Sequence, residues 1–157
     1  KIVRKLLDKY FIIRTSWLYG SNGKNFVETI LELDRTNNEI NVVMDQIGSP
    51  TYSKDLAVLV CDMIQTTKYG IYHGVNEGYC SWYEFAKVIL QKINMNSFED
   101  AGVKVKPITS EEYPTKAKRP LNSRLSKNNL DKSDFKRLPY WDDGLDRYLK
   151  EIFKLYN

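Results

Sequence analysis

With 157 residues, 42% of them hydrophobic, the chain is long enough to enclose one folded core and too short for two, so a single unit over 1–157 is expected. Its two cysteines, Cys61 and Cys80, belong to no CxxC or His–Cys cluster, which argues against a disulfide framework or a metal site and predicts two buried thiols in a reducing, cytoplasmic compartment. The net charge is +4, yet residues 103–127 carry five net positive charges while the rest nets −1; no run approaches the roughly 20 apolar residues of a membrane span, no signal-peptide pattern is present, and no nucleic-acid motif accompanies the 11 tyrosines.

In chain order, residues 1–9 carry helical spacing at Ile2, Val3, Leu6 and Leu7 with no cap before it, which predicts a helix tail in a fragment of a longer chain. "YFIIRT" at 10–15 is short, apolar and β-branched, as in a buried parallel strand. A turn at 19–24 leads to a helix over 25–33 with Phe26, Ile30 and Leu33 on one face, then a strand over 40–44. Ser53 is expected to cap a helix carrying Leu56, Val60, Met63 and Ile64, and "GIYHGV" at 70–75 is another strand. Ser81 caps a helix over 82–93 whose stripe is Trp82, Phe85, Ala86, Ile89 and Ile93. "VKVKPI" at 103–108 alternates as a strand that Pro107 ends, and a helix over 141–156 closes the chain with Leu145, Leu149, Ile152 and Phe153 on one face. Strands alternate with helices, so the class is α/β.

Several chemistries are missing. No GxGxxG or GxxxxGK[ST] follows a strand, so no loop here cradles a dinucleotide or nucleoside triphosphate. His73 is the only histidine, which removes most triads and His-based metal sites, and it reads as a core or edge residue of its strand. Tyr83 and Lys87 match YxxxK but lie inside the capped helix with no cofactor loop, so they are not assigned a catalytic role. The basic segment invites an anion, although a solvated Lys-rich surface accounts for the charge count alone.

"DQIGSPTYSKDLA" at 45–57 asks for more than a turn, because Gln46 can both donate and accept hydrogen bonds. Together with "RTSWLYG" at 14–20, "GKNF" at 23–26, "GIYHGVNEGYCSWYEFA" at 70–86 and "EYPTKAKRPLNSRL" at 112–125, it resembles the C-terminal half of the dTDP-4-dehydrorhamnose reductases, a family of extended short-chain dehydrogenase/reductases. The resemblance implies the last parallel strands of a Rossmann-type sheet plus a small substrate-binding domain. The NADPH-binding half and the catalytic Tyr-xxx-Lys have no counterpart in this chain.

On single residues, the resemblance implies that Thr15 and Ser16 border the cofactor and that Trp17 lies against the sugar. Asn25 would offer donors to a diphosphate at a helix start, with capping as its other reading. Arg119 would clamp the diphosphate with its guanidinium fork. Gln46 would contact the nucleotide or sugar, with Gly48 and Pro50 shaping a loop that points Asp45 and Gln46 inward. Asp55 reads as first-turn helix charge. The implied ligand is a dTDP-sugar, reduced by the whole enzyme with NADPH or NADH; the portion here would bind no cofactor tightly, catalyse nothing alone, and expose strand edges open to homodimerisation. Two alternatives remain: a nucleotide-sugar epimerase or dehydratase of the same superfamily, and a non-catalytic regulatory subunit of the methionine adenosyltransferase type.

Overall fold

The computed structural model describes residues 2–21, 23–94, 103–113, 115, 117 and 119–155. The strands form four two-stranded pairs. β1 (Phe11–Arg14) runs parallel to β6 (Gly70–His73), β2 (Leu18–Tyr19) to β5 (Thr51–Tyr52), and β3 (Glu39–Val43) to β8 (Lys104–Ile108), while β4 (Ile47–Gly48) is antiparallel to β7 (Cys80–Ser81). Between them lie helices α1 (Val3–Leu6), α2 (Phe26–Thr36), α3 (Ser53–Ile64), α4 (Trp82–Asn94), α5 (Asn128–Lys132) and α6 (Trp141–Leu155). The α/β alternation expected from the periodicity is present, and its parallel pairs require the crossover helices that the sequence supplies.

The helix starts follow local chemistry. Asn25 caps α2, its side-chain oxygen accepting from Glu28 N at 3.1 Å. Ser81 forms a capping box with Glu84: its hydroxyl accepts from Glu84 N at 3.1 Å, and the Glu84 carboxylate accepts from Ser81 N at 2.6 Å. Ser53 does not cap α3. Thr51 and Tyr52 are drawn into pairing with β2, so Ser53 is already helical and the Tyr52 N–H is bound by the Asn76 side chain at 2.9 Å.

Pro107 does not end β8 either. The β8 groups that bond toward β3 include Lys104 N, to Asn38 O, and Ile108 O, from Met44 N. Pro107 is out of phase with them, so its missing N–H falls on the open edge. β1 is half-buried rather than buried, having one strand neighbour among the described residues. Of the cysteines, Cys80 is buried as expected, but Cys61 on α3 is exposed; both are free.

Two apolar clusters hold these elements. The larger joins Val27 and Ile30 of α2, Ile40 and Val42 of β3, Phe85 and Ile89 of α4, and Leu145, Tyr148 and Ile152 of α6 around the stacked Tyr19 and Tyr52. The smaller joins Leu59 and Met63 of α3, Tyr72 of β6, and Leu130, Phe135 and Leu138. Between them sits a polar node. Asp55, only 7% exposed, receives both arms of Arg147 at 2.7 and 2.8 Å and the Asn76 amide at 2.7 Å. Asp55 is therefore far more than first-turn charge. Gly144 of α6 lets the helix approach it, since a Cβ there would lie 3.1 Å from the Tyr19 hydroxyl and 3.3 Å from Asp55 Oδ2.

Breaking the node leaves a buried carboxylate without its counter-charge, so Arg147→Ala should lower unfolding stability by about 3 kcal/mol, read from urea midpoints. At the far end of α6, the Lys54 ammonium and the Tyr52 and Ser21 hydroxyls hold the Glu151 carboxyl at about 2, below its usual 4.5. A depressed carboxyl stabilises the fold above its unfolded value and loses that contribution as pH falls through the folded one. Urea titrations from pH 6 to pH 2 should thus show stability falling below about pH 4.5, less steeply in Glu151→Gln.

Candidate functional site

A cleft of about 750 Å³ opens between α2, β3 and the segment that follows β8. Its floor is apolar: Phe26, Ile30 and Leu33 from α2, Ile40 and Val42 from β3. Ser16, Trp17 and Trp82 form one wall, and Gln46, Tyr113, Thr115, Arg119 and Ser123 form the rim. A second hollow, between α2 and α6, is lined by Leu31, Leu149 and Phe153 among others and contains none of the residues singled out for binding.

Trp17 is held from several sides. Its backbone is left-handed, with φ at 48°, an uncommon and costly state for a bulky residue. Its carbonyl accepts from Thr51 N at 3.1 Å, and its ring stacks on Trp82 with centroids 3.6 Å apart and planes 11° apart. Gly48 lies directly beneath: a Cβ there would come within 2.6 Å of the indole. The need for glycine at 48 is thus to seat Trp17, beyond any need of the turn.

Four of the six residues singled out for binding, Ser16, Trp17, Gln46 and Arg119, line this one cleft. Thr15 and Asn25 do not. Thr15 is exposed just beyond the carboxyl end of β1. The Asn25 side chain is consumed by the fold: its oxygen caps α2, and its amide donates to Gly20 O at 3.1 Å, Gly23 O at 3.2 Å and the Tyr148 hydroxyl at 3.0 Å. The capping reading describes this side chain, because the tight 20–25 turn brings those acceptors to it.

Asp45 does not point into the cleft as expected. Its carboxylate accepts from Ser110 N at 3.0 Å and Ser110 Oγ at 2.7 Å, and these bonds hold it below the usual carboxylate range. Gln46 donates to the same hydroxyl at 2.9 Å while lining the cleft. The basic segment is likewise divided. Lys127 is buried against Glu77 at 3.2 Å, Arg124 and Lys127 lie over the Tyr79 ring, and Lys104 and Lys106 belong to β8. Arg119 is its one cation among the described residues to line the cleft.

Trp82, Tyr113 and Thr115 are cleft residues that the sequence does not mark as site residues. Periodicity places Trp82 in the core stripe of α4, and only its position directly after the Ser81 cap signals that it reaches the cleft. Tyr83 and Lys87 touch, the ammonium 5.4 Å from the ring centroid, away from the cleft. His73 is an edge residue whose Nδ1 lies 2.8 Å from Ser126 O. Burial pushes the Cys80 thiol up, which keeps it neutral. No group of three or more His, Cys, Asp or Glu able to hold a metal occurs among the described residues, and no helix there is long and apolar enough to cross a membrane.

Against known proteins, the family described as the RmlD substrate binding domain matches residues 1–153. The spore coat polysaccharide biosynthesis protein SpsK of Bacillus subtilis (strain 168) is 42% identical over 151 residues, 96% of this chain and 50% of that protein. The dTDP-4-dehydrorhamnose reductase of Escherichia coli (strain K12) is 33% identical over 158 residues, 98% of this chain and 53% of that enzyme. A crystal structure of dTDP-4-dehydrorhamnose reductase from Bacillus anthracis str. Ames in complex with NADP superposes with a TM-score of 0.86 at 47% identity, covering 95% of this chain and 50% of that one. The chain spans about half the length of the relatives it matches. With nearly its whole length matched by the family and its fold shared with a solved member, the chain belongs to the RmlD substrate binding domain family.

Proposed function

We propose that this chain is the nucleotide-sugar-binding portion of a dTDP-4-dehydrorhamnose reductase, which reduces the 4-keto group of dTDP-4-dehydrorhamnose to dTDP-rhamnose with NADPH. The observation that carries this reading is the cleft itself: an apolar floor, a stacked indole wall and a guanidinium at the rim within one hollow of about 750 Å³. A nucleoside diphosphate sugar presents the matching series of a flat base, two phosphates and a pyranose. The names of the E. coli and B. anthracis relatives support the same substrate class.

Each residue then has a physical task. Arg119 offers paired N–H donors to phosphate oxygens, a charge-assisted fork that a lysine does not reproduce. Trp17, held by Gly48 and stacked on Trp82, gives the wall a rigid aromatic surface against which an apolar part of the ligand rests. Gln46 and Ser16 supply polar contacts at the wall. Asn25 serves indirectly, by capping the helix that forms the floor.

Of the parts that hold a dinucleotide, only a nicotinamide edge fits this chain. Thr15 and Ser16 follow the carboxyl end of a parallel strand, the side on which such sheets take ligands, whereas no glycine-rich phosphate turn is present. NADPH supplies the hydride when bound to the whole enzyme. Residues 1–157 act in this reading as one binding unit that orients the sugar, without turnover of their own, in the cytoplasm. The edges of the β1–β6 pair, which meet no further strand among the described residues, favour homodimerisation of the isolated chain.

Isothermal titration with dTDP should show saturable binding, and Arg119→Ala should weaken it tenfold or more, on the order of 1.5–3 kcal/mol for a charge-assisted bond. An unchanged dissociation constant would remove Arg119 from the site. NADPH should give no saturable heat; tight binding would overturn the division of labour between the two halves.

A further inference from the structure

Residues 45–47 hold both ends of the rim. At the front, Asp45 accepts from Ser110 N at 3.0 Å and Oγ at 2.7 Å, and Gln46 donates to Ser110 Oγ at 2.9 Å. At the back, Ile47 N donates to Leu121 O and Ser123 N donates to Ile47 O, both at 2.8 Å. Everything the rim contributes from Tyr113, Thr115 and Arg119 thus leaves and returns to three consecutive residues.

The two attachments differ in kind. The rear one is backbone to backbone, and no side chain carries it. The front one is made by side chains, chiefly the Asp45 carboxylate, which takes both the N–H and the hydroxyl of Ser110, with the Gln46 amide on the same hydroxyl. The β3–β8 ladder has already ended at Val43 and Ile108, and Met44 N donates to Ile108 O. The turn beyond closes on itself, the Glu112 carboxylate accepting from Thr109 N at 2.7 Å and Thr109 Oγ1 at 2.9 Å. Neither feature fixes that turn against the cleft. Asp45 does, with Gln46 beside it, through a carboxylate whose bonds to other residues all go to Ser110 among the described residues.

We infer that Asp45 is a positioning residue for nucleotide binding: its grip on Ser110 sets the path of the rim so that Arg119 meets the diphosphate. The inference rests on the nucleotide-sugar reading of the cleft. Ordering the rim before the ligand arrives removes that entropic cost from binding, so the clamp acts on affinity through Arg119. Gln46 shares the same hydroxyl, which links the rim to the wall of the cleft.

The test is a double-mutant cycle read by dTDP titration on the 157-residue chain. Asp45→Ala should raise the dissociation constant about tenfold in the wild-type background and leave it unchanged when Arg119 is already alanine. Asp45→Asn, which keeps one acceptor toward Ser110, should recover most of the affinity. Equal losses in both backgrounds would mark a general structural defect and overturn the assignment. Amide hydrogen exchange on the unliganded chain separates the clamp from the ligand. The Ser110 amide, which donates to the Asp45 carboxylate at 3.0 Å, should exchange about tenfold faster in Asp45→Ala, with β3 and β8 unaffected. Unchanged exchange there would overturn the clamp; failure of the wild-type chain to bind dTDP, with that exchange effect present, would overturn the nucleotide reading instead.

Discussion

The placement of the cleft depends on one buried carboxylate. Asp55 sits in the first turn of α3, and Arg147 reaches it from α6 with both arms. Asn76 completes the node: it donates to Asp55 at 2.7 Å and to Pro139 O at 2.9 Å, and it accepts from Tyr52 N at 2.9 Å. A buried charge is tolerable only when its counter-charge and its remaining hydrogen bonds are supplied, and here they are. The arrangement fixes α6 against α3 and β5 at the point where Gly144 permits contact.

From that fixed helix the consequences run outward. Tyr148 of α6 donates to Glu28 at 2.8 Å and accepts from Asn25 at 3.0 Å, and Glu151 receives the Ser21 hydroxyl at 2.9 Å. α6 thereby holds both the 20–25 turn and the start of α2. Phe26, Ile30 and Leu33 follow from that start and make the floor of the cleft. A network that contributes no residue to the cleft thus decides where the cleft lies.

The 45–57 stretch works as scaffold and site at once. Asp45 and Gln46 grip Ser110, Ile47 pairs with the returning rim, Gly48 seats Trp17, Ser49 donates to Gly78 O at 2.6 Å, Thr51 pairs with β2, and Asp55 anchors α6. Only Gln46 also lines the cleft. Polar residues in such a loop invite a ligand-binding interpretation, yet most of these are satisfied by other parts of the same chain. A short polar side chain bonds whatever acceptor or donor the fold brings within 3 Å, and sequence proximity says little about which that is.

What the sequence determined by itself is what depends on near neighbours. The α/β alternation, the Ser81 cap and the apolar stripes of α2, α4 and α6 arise from spacings of a few residues and are legible from them, whereas Asn25 reads first as a diphosphate donor and only secondly as the cap it is. The motif set from 14 to 125 likewise carried the family. Tertiary structure alone decided the partners of Asp45 and Asp55, the exposure of Cys61, the helical start at Ser53, the tolerance of Pro107 and the cleft roles of Trp82 and Tyr113. Each of these turns on a contact between residues remote in sequence, such as the ninety-two positions separating Asp55 from Arg147. Local propensity cannot encode such a contact; it exists only once the elements have packed.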